Sequence, residues 1–213
     1  MSGTGIDKRF RALRRLTNHW SRPAAPRSYY WYLTFEMSPQ LQRLVKRCQD
    51  AIAFPYYDLI PEGGLHLTLD RIALEDDMTS SGLQEIQVVA TRACAEMVPF
   101  EIAVGSLGGT SGAVGFSASP VEVIRHLRDT LRKATLSVHP KAPVKDAEFH
   151  PHVTIAYCNS SDVPAAGVIE TVEKLNALPS VGLTVRECSL VLLERQQRAY
   201  AWQEIFRIPL AGS

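Results

Sequence analysis

Two short stretches of the chain pair a proton-transferring ring with a hydroxyl at the same spacing. They are His66-Leu67-Thr68-Leu69 and His152-Val153-Thr154-Ile155. In a β-strand, alternation puts His66 and Thr68 on one face and Leu67 and Leu69 on the other, and the second stretch divides in the same way. Each strand then offers an apolar face to a core and a histidine-plus-hydroxyl face to a cleft. Imidazole titrates near neutral pH, so one ring can start neutral while its partner starts charged. One histidine can accept a proton from an attacking water while the other protonates the departing oxygen. The hydroxyls of Thr68 and Thr154 can donate to the non-bridging oxygens of a phosphate. This is equipment for phosphodiester chemistry with no metal and no organic cofactor.

Neighbouring residues extend the candidate site. His150 stands two positions before His152, on the same face of an extended chain. That spacing serves a metal site, a substrate contact or neither, and no third ligand follows at a ligating distance. In a regular strand Asp70 shares the face of His66, to orient it or to form a salt bridge, and Arg71 does not. The aromatic stretch 29–35 divides into Tyr30, Tyr32 and Thr34 on one face and Tyr29, Trp31, Leu33 and Phe35 on the other. The larger apolar set predicts core; Tyr32 then lines the cleft, where a ring could stack on a base. Trp202 is expected in the core, and His19 and His126 on exposed helix faces.

The elements that must position these groups occur twice. Residues 29–37 read as a strand, followed by Ser38-Pro39, a hydroxyl cap with proline at the first helical position. Leu41, Leu44, Val45, Cys48 and Ile52 continue at helical spacing. The first histidine strand spans 65–73, and Ser81-x-x-Gln84 reads as a capping box opening a helix to about 97. A hairpin over 100–107 and 113–117 follows. The second half replays the order: strand 113–117, Ser119-Pro120, a helix bearing Val121, Ile124, Leu127 and Leu131, the strand 151–158, and a helix over 164–178. Two long strands, 183–193 and 199–208, close the chain. The fold expected is α+β: a bilobal duplicated unit, two antiparallel sheets facing a central cleft with helices outside. Residues 1–27 form a basic N-terminal helix (7–20) and linker, dispensable for small substrates, and 28–213 the bilobal domain.

These residues carry a resemblance. Over about 28–210, including Pro151 before the second motif and the closing strands, the chain resembles the two-histidine phosphoesterase superfamily. That superfamily contains the 2′-5′ RNA ligase-like proteins and cyclic nucleotide phosphodiesterases. The resemblance implies that His66 and His152 are catalytic, with His152 as base and His66 as acid, and that Thr68 and Thr154 bind phosphate. Many members follow the second motif with alanine and a basic residue. Here Ala156 is followed by Tyr157, a substrate contact without the cation, which argues against polymeric RNA. The function implied is opening of 2′,3′-cyclic phosphates or related small phosphodiesters. A biosynthetic enzyme acting on a phosphorylated metabolite, or a nucleotide- or RNA-binding module, are the alternatives on the same scaffold.

Charge distribution agrees with a small substrate. The net charge is only +1 over 213 residues. Lys8, Arg9, Arg11, Arg14, Arg15, Arg22 and Arg27 crowd the start against Asp7 alone, leaving the remainder net acidic and poorly matched to long nucleic acid. A small nucleotide or other phosphodiester is the expected partner, with an RNA end as a further candidate and no obligate protein partner. Cys48, Cys94, Cys158 and Cys188 are scattered, with no Cys-x-x-Cys pair. Together with the lack of an apolar run long enough to span a bilayer, this predicts a cytoplasmic protein.

Overall fold

The computed structural model describes residues 5–144 and 148–212. A short helix α1 (Gly5–Arg11) leads through an extended stretch and a 3₁₀ turn (His19–Ser21) to β1 (Ser28–Thr34) and α2 (Pro39–Ala51). There follow β2 (Tyr57–Leu59), β3 (His66–Leu74), α3 (Ser80–Cys94), β4 (Phe100–Thr110) and β5 (Ala113–Ser119). The chain ends with α4 (Val121–Val138), β6 (His152–Cys158), α5 (Ala166–Leu175), β7 (Val181–Val185), β8 (Glu187–Gln196) and β9 (Ala199–Pro209). The strands form two antiparallel sheets, ordered β3-β1-β8-β9 and β2-β6-β5-β4-β7. The α+β architecture expected from the sequence is therefore present, and the order β3-β1-β8-β9 has its counterpart in β6-β5-β4-β7. The edge strand β2 had no sequence signal.

Local signals explain most element starts. The Ser38 hydroxyl accepts from the Leu41 amide, Pro39 opens α2, and Leu41, Val45, Cys48 and Ile52 are buried. Two caps differ from expectation. Thr79, not Ser81, caps α3, accepting from the Gly82 amide at 3.1 Å. Helix α4 has Pro120 at its cap position, with no side-chain cap hydrogen bond. The stretch expected as one strand over 183–193 breaks at Arg186 into β7 and β8, which lie in different sheets. Alternation through Val181, Leu183 and Val185 breaks there at two consecutive exposed residues, Arg186 and Glu187, which is the mark the change leaves in the sequence.

The layers are exchanged between the halves. Helix α4, which follows β5, packs behind the first sheet: the Trp31 indole Nε1 donates to the Thr135 hydroxyl at 3.0 Å. Helix α2, which follows β1, packs behind the second sheet, where the Gln49 amide donates to the Ile155 and Ile60 carbonyls. Strands β8 and β9, at the end of the chain, complete the sheet begun by β1. Leu67, Leu69, Val153 and Ile155 are buried behind the two motif strands.

The N-terminal segment is part of this body. The helix expected over 7–20 ends at Arg11 because the chain beyond it finds backbone partners elsewhere. The Leu16 amide donates to the Val163 carbonyl at 2.8 Å, the Thr17 amide donates to Ser111, and the Ala165 amide donates to Arg14. Phe10 and Leu16 are 1% and 0% exposed, the Phe10 ring packing at Gly109, where a Cβ would also sit 2.2 Å from the Ala113 carbonyl oxygen. Removing the segment would uncover core, so a shortened chain expected to keep its turnover of small substrates would first have to fold without that cover. Phe10→Ala should cost about 3–5 kcal/mol, the usual range for emptying a buried phenylalanine site. A denaturant midpoint indistinguishable from wild type would show that the segment does not dock.

Candidate functional site

Strands β3 and β6 approach each other across the cleft between the sheets, with Cα atoms of the two strands within 8 Å. His66 and His152 open these strands. Their rings are held alike. His66 Nδ1 lies 2.9 Å from the Gly64 carbonyl oxygen, and His152 Nδ1 lies 2.8 Å from the His150 carbonyl oxygen. A carbonyl can only accept, so in both bonds Nδ1 carries the hydrogen and donates. The proton-exchanging nitrogen left to each ring is Nε2. This pairing fixes the tautomer that acid–base chemistry at Nε2 requires.

The two rings differ in surroundings. Tyr32 stacks on His66 at 4.2 Å between centroids and 11° between planes, and Trp202 meets the same ring edge-on at 4.9 Å. Trp202 is thus a half-buried wall of the site rather than core, because its position on β9 faces the cleft. Burial, helped by the positive charge of His152, lowers the His66 pKa from 6.5 to about 4, although the bond to Gly64 pulls the other way. His66 is therefore neutral at neutral pH. His152 is exposed.

Each motif strand carries one extra residue directly after its threonine. In β3 the partners run Tyr32↔Thr68 and then Trp31↔Asp70, leaving Leu69 unmatched. In β6 they run Gly115↔Thr154 and then Val114↔Ala156, leaving Ile155 unmatched. Such a bulge reverses the alternation beyond it. Asp70 accordingly turns to the back of the sheet, where the guanidinium groups of Arg132 and Arg128 on α4 stand 2.6 Å and 3.9 Å from its Oδ2. Arg71, the counterpart of Tyr157, turns to the cleft face. The expectation from a regular strand is thereby inverted for both residues. Arg71 donates to the Ser28 hydroxyl at 2.9 Å, and its buried Nε has no hydrogen-bond partner among the described residues. At the second bulge a Cβ on Gly115 would sit 2.6 Å from the Val153 carbonyl oxygen, so only glycine admits the neighbouring strand.

The remaining candidates fall as follows. Thr68 and Thr154 occupy the cleft faces of their strands, beside Tyr32 and Tyr157 respectively. Burial raises the pKa of both tyrosines, which stay protonated. The His150 ring pairs with Glu148 at 3.3 Å, while its carbonyl orients His152. Among the described residues, no group of three His, Cys, Asp or Glu side chains is placed to hold a metal ion.

His19 is the residue that sequence reading misplaced. It sits in the 3₁₀ turn, not on an exposed helix face, and stacks on Tyr157 at 4.1 Å and 29°. Its Nε2 is 2.9 Å from the Tyr200 hydroxyl, and Trp20 beside it donates from its indole to Asp58 at 2.8 Å. Burial first, then the charges of Arg195 and Arg22, lower the His19 pKa to about 4. Asn18, which caps the turn by accepting from the Trp20 amide, was the available signal. A cavity of about 680 Å³ runs from His152, Thr154 and Tyr157 along the β4–β5 hairpin to this segment.

Comparison with known proteins supplies a frame. The family model described as the 2′-5′ RNA ligase superfamily matches residues 37–197. No curated protein matches the chain. Among solved structures, TT0787 of Thermus thermophilus is similar with a TM-score of 0.68 at 18% identity, over 87% of this chain and 98% of that one. E. coli LigT complexed with NADP+ gives 0.63 at 16% identity, over 87% and 99%. The Agrobacterium tumefaciens protein ATU0111 gives 0.54 at 14% identity, over 84% and 86%. At these identities the likeness is one of fold. No helix is long and apolar enough to cross a membrane among the described residues.

Two half-buried, neutral histidines weaken the fold in acid. A histidine whose pKa falls from 6.5 unfolded to about 4 folded binds fewer protons in the native state between those values. Their contribution to stability is full above pH 6.5 and is lost as pH falls toward 4. Urea melts at pH 7 and pH 4.5 should show a smaller acid loss for His66→Asn than for wild type; equal losses would mean His66 is not held neutral.

Proposed function

Since the chain belongs to the 2′-5′ RNA ligase superfamily of two-histidine phosphoesterases, we propose that it opens 2′,3′-cyclic phosphates or related small phosphodiesters by histidine acid–base catalysis alone. The observation that carries this reading is the matched Nδ1 bonding of His66 and His152, which leaves Nε2 of both rings for proton transfer. Thr68 and Thr154 sit on the same faces to donate to the two non-bridging oxygens. Solved relatives of this fold are described in complex with 3′-AMP, ATP and NADP+, in keeping with a small nucleotide as ligand here.

In this mechanism the oxygen of a water molecule attacks phosphorus while its proton passes to one histidine Nε2. The bond from phosphorus to the departing ribose oxygen breaks, and that oxygen takes a proton from Nε2 of the other histidine. The resemblance assigned the base role to His152. The depressed pKa of His66 favours the reverse order, because a ring that is neutral in the free protein is ready to accept. Tyr32, stacked on that ring and itself protonated, holds it in plane without competing for the proton.

On adenosine 2′,3′-cyclic phosphate, His66→Ala and His152→Ala should each lower kcat by at least ~10², the scale of a positioned acid or base, and EDTA should leave turnover intact. Near-normal turnover in either variant removes that histidine from the mechanism. With His66 as base, kcat/KM falls as pH drops through about 4; a fall as pH rises through that value returns His66 to the acid role.

A further inference from the structure

The cavity beyond His152 and Thr154 has walls that the phosphodiester chemistry does not use. One side is the β4–β5 hairpin from Ser106 to Ser117; the other is the N-terminal segment, with Arg9, Asn18, His19 and Arg22. That segment precedes the residues matched by the family model. Among the described residues, the lining contains the guanidinium groups of Arg9 and Arg22 and no carboxylate. Other arginines of the segment are neutralised: Arg11 by Glu173 at 3.1 Å, Arg15 by Asp162 at 3.6 Å and Arg27 by Glu75 at 2.9 Å. Arg14 lies outside the lining. Among the described residues no ion pair or side-chain hydrogen bond of Arg9 or Arg22 occurs. The uncompensated cations are thus two that line the same cavity as the second histidine.

A second observation points the same way. His19, on this wall, is held neutral by burial first and then by the nearby charges of Arg195 and Arg22. The guanidinium of Arg195 is occupied, donating to the Arg22 carbonyl at 2.6 Å and lying 5.3 Å over the Trp20 ring. It fixes the segment, so that the Arg22 backbone is anchored while its side chain is left to the cavity. A fixed backbone with an unpaired guanidinium is preorganised to receive an anion, since little further ordering is required on binding.

We propose that this cavity is a second anion subsite, and that the substrate carries, besides the phosphodiester between the two histidines, a further phosphate received by Arg9 and Arg22. The proposal rests on the phosphodiesterase reading of the neighbouring site, and it narrows the substrate class to nucleotides or other phosphodiesters with a second, separate phosphate. Arg9 and Arg22 then set KM for such substrates and take no part in proton transfer. Their contribution weakens with added salt, because both side chains are solvent-exposed.

The test is a binding comparison that needs no turnover. Calorimetric titration of the full chain with adenosine 2′-monophosphate and with adenosine 2′,5′-bisphosphate should show the bisphosphate binding on the order of 10-fold tighter or more, as expected of a charge-assisted contact. The double variant Arg9→Gln/Arg22→Gln should erase that preference, whereas Arg14→Gln, an exposed change in the same segment, should retain it. Equal affinities for the two ligands in wild type would overturn the subsite, as would loss of the preference in Arg14→Gln, which would assign it to the general charge of the segment. If the preference and its arginine dependence hold while no cyclic phosphodiester is turned over, the subsite stands and the catalytic reading alone fails.

Discussion

The site depends on the extra residue that follows the threonine in each of two strands. Leu69 and Ile155 have no partner across their ladders, and the side chains after them change face. Without the bulge, Asp70 would point a carboxylate into the cleft beside His66 and Arg71 would point a guanidinium into the core. With it, the carboxylate lies among the arginines of α4 and the cation lies on the face that carries His66 and Thr68. Removing one member of so buried a cluster typically costs about 3–5 kcal/mol, because the charge left behind has lost its compensation. The bulge therefore couples the electrostatics of the cleft to the packing of the helix layer behind it.

Ring orientation is the second constraint, and it follows from backbone rather than from side-chain partners. Among the described residues no carboxylate holds either imidazole; the carbonyls of Gly64 and His150, each two residues upstream, do so. A carbonyl fixes the tautomer without adding negative charge beside the ring. For His66 burial outweighs the opposing pull of the Gly64 carbonyl and the ring stays neutral, while Tyr32 and Trp202 pack against it.

How far the sequence could be read follows from what kind of signal each feature leaves. The apolar partners of the motif strands, Leu67, Leu69, Val153 and Ile155, are buried as alternation requires, and Tyr29, Trp31, Leu33 and Phe35 form core as their face predicted. The bulges were not legible, because an inserted residue leaves no periodic mark in a nine-residue strand. Phe10, Leu16 and Trp20 of the N-terminal segment are buried, but from a short helix, an extended stretch and a 3₁₀ turn held by tertiary hydrogen bonds rather than from one long helix. His19 escaped notice for the same reason: its neighbours Tyr157 and Tyr200 are distant in sequence and meet it only once that stretch is laid across the hairpin.

The exchange of layers between the halves bears on how the chain can acquire its structure during synthesis. When β1 and β3 leave the ribosome, α4, which will cover their apolar face, is not yet made, and β8 and β9, which will complete the sheet, are the last strands to appear. The first half therefore has no complete core of its own and cannot fold ahead of the second. Contacts of long sequence separation form slowly, and unpaired strand edges remain open until they do. The charged residues in and just after β3, Asp70 and Arg71 followed by Glu75, Asp76 and Asp77, then have a role before the native state exists. They interrupt an apolar strand that would otherwise wait, exposed, as a template for aggregation.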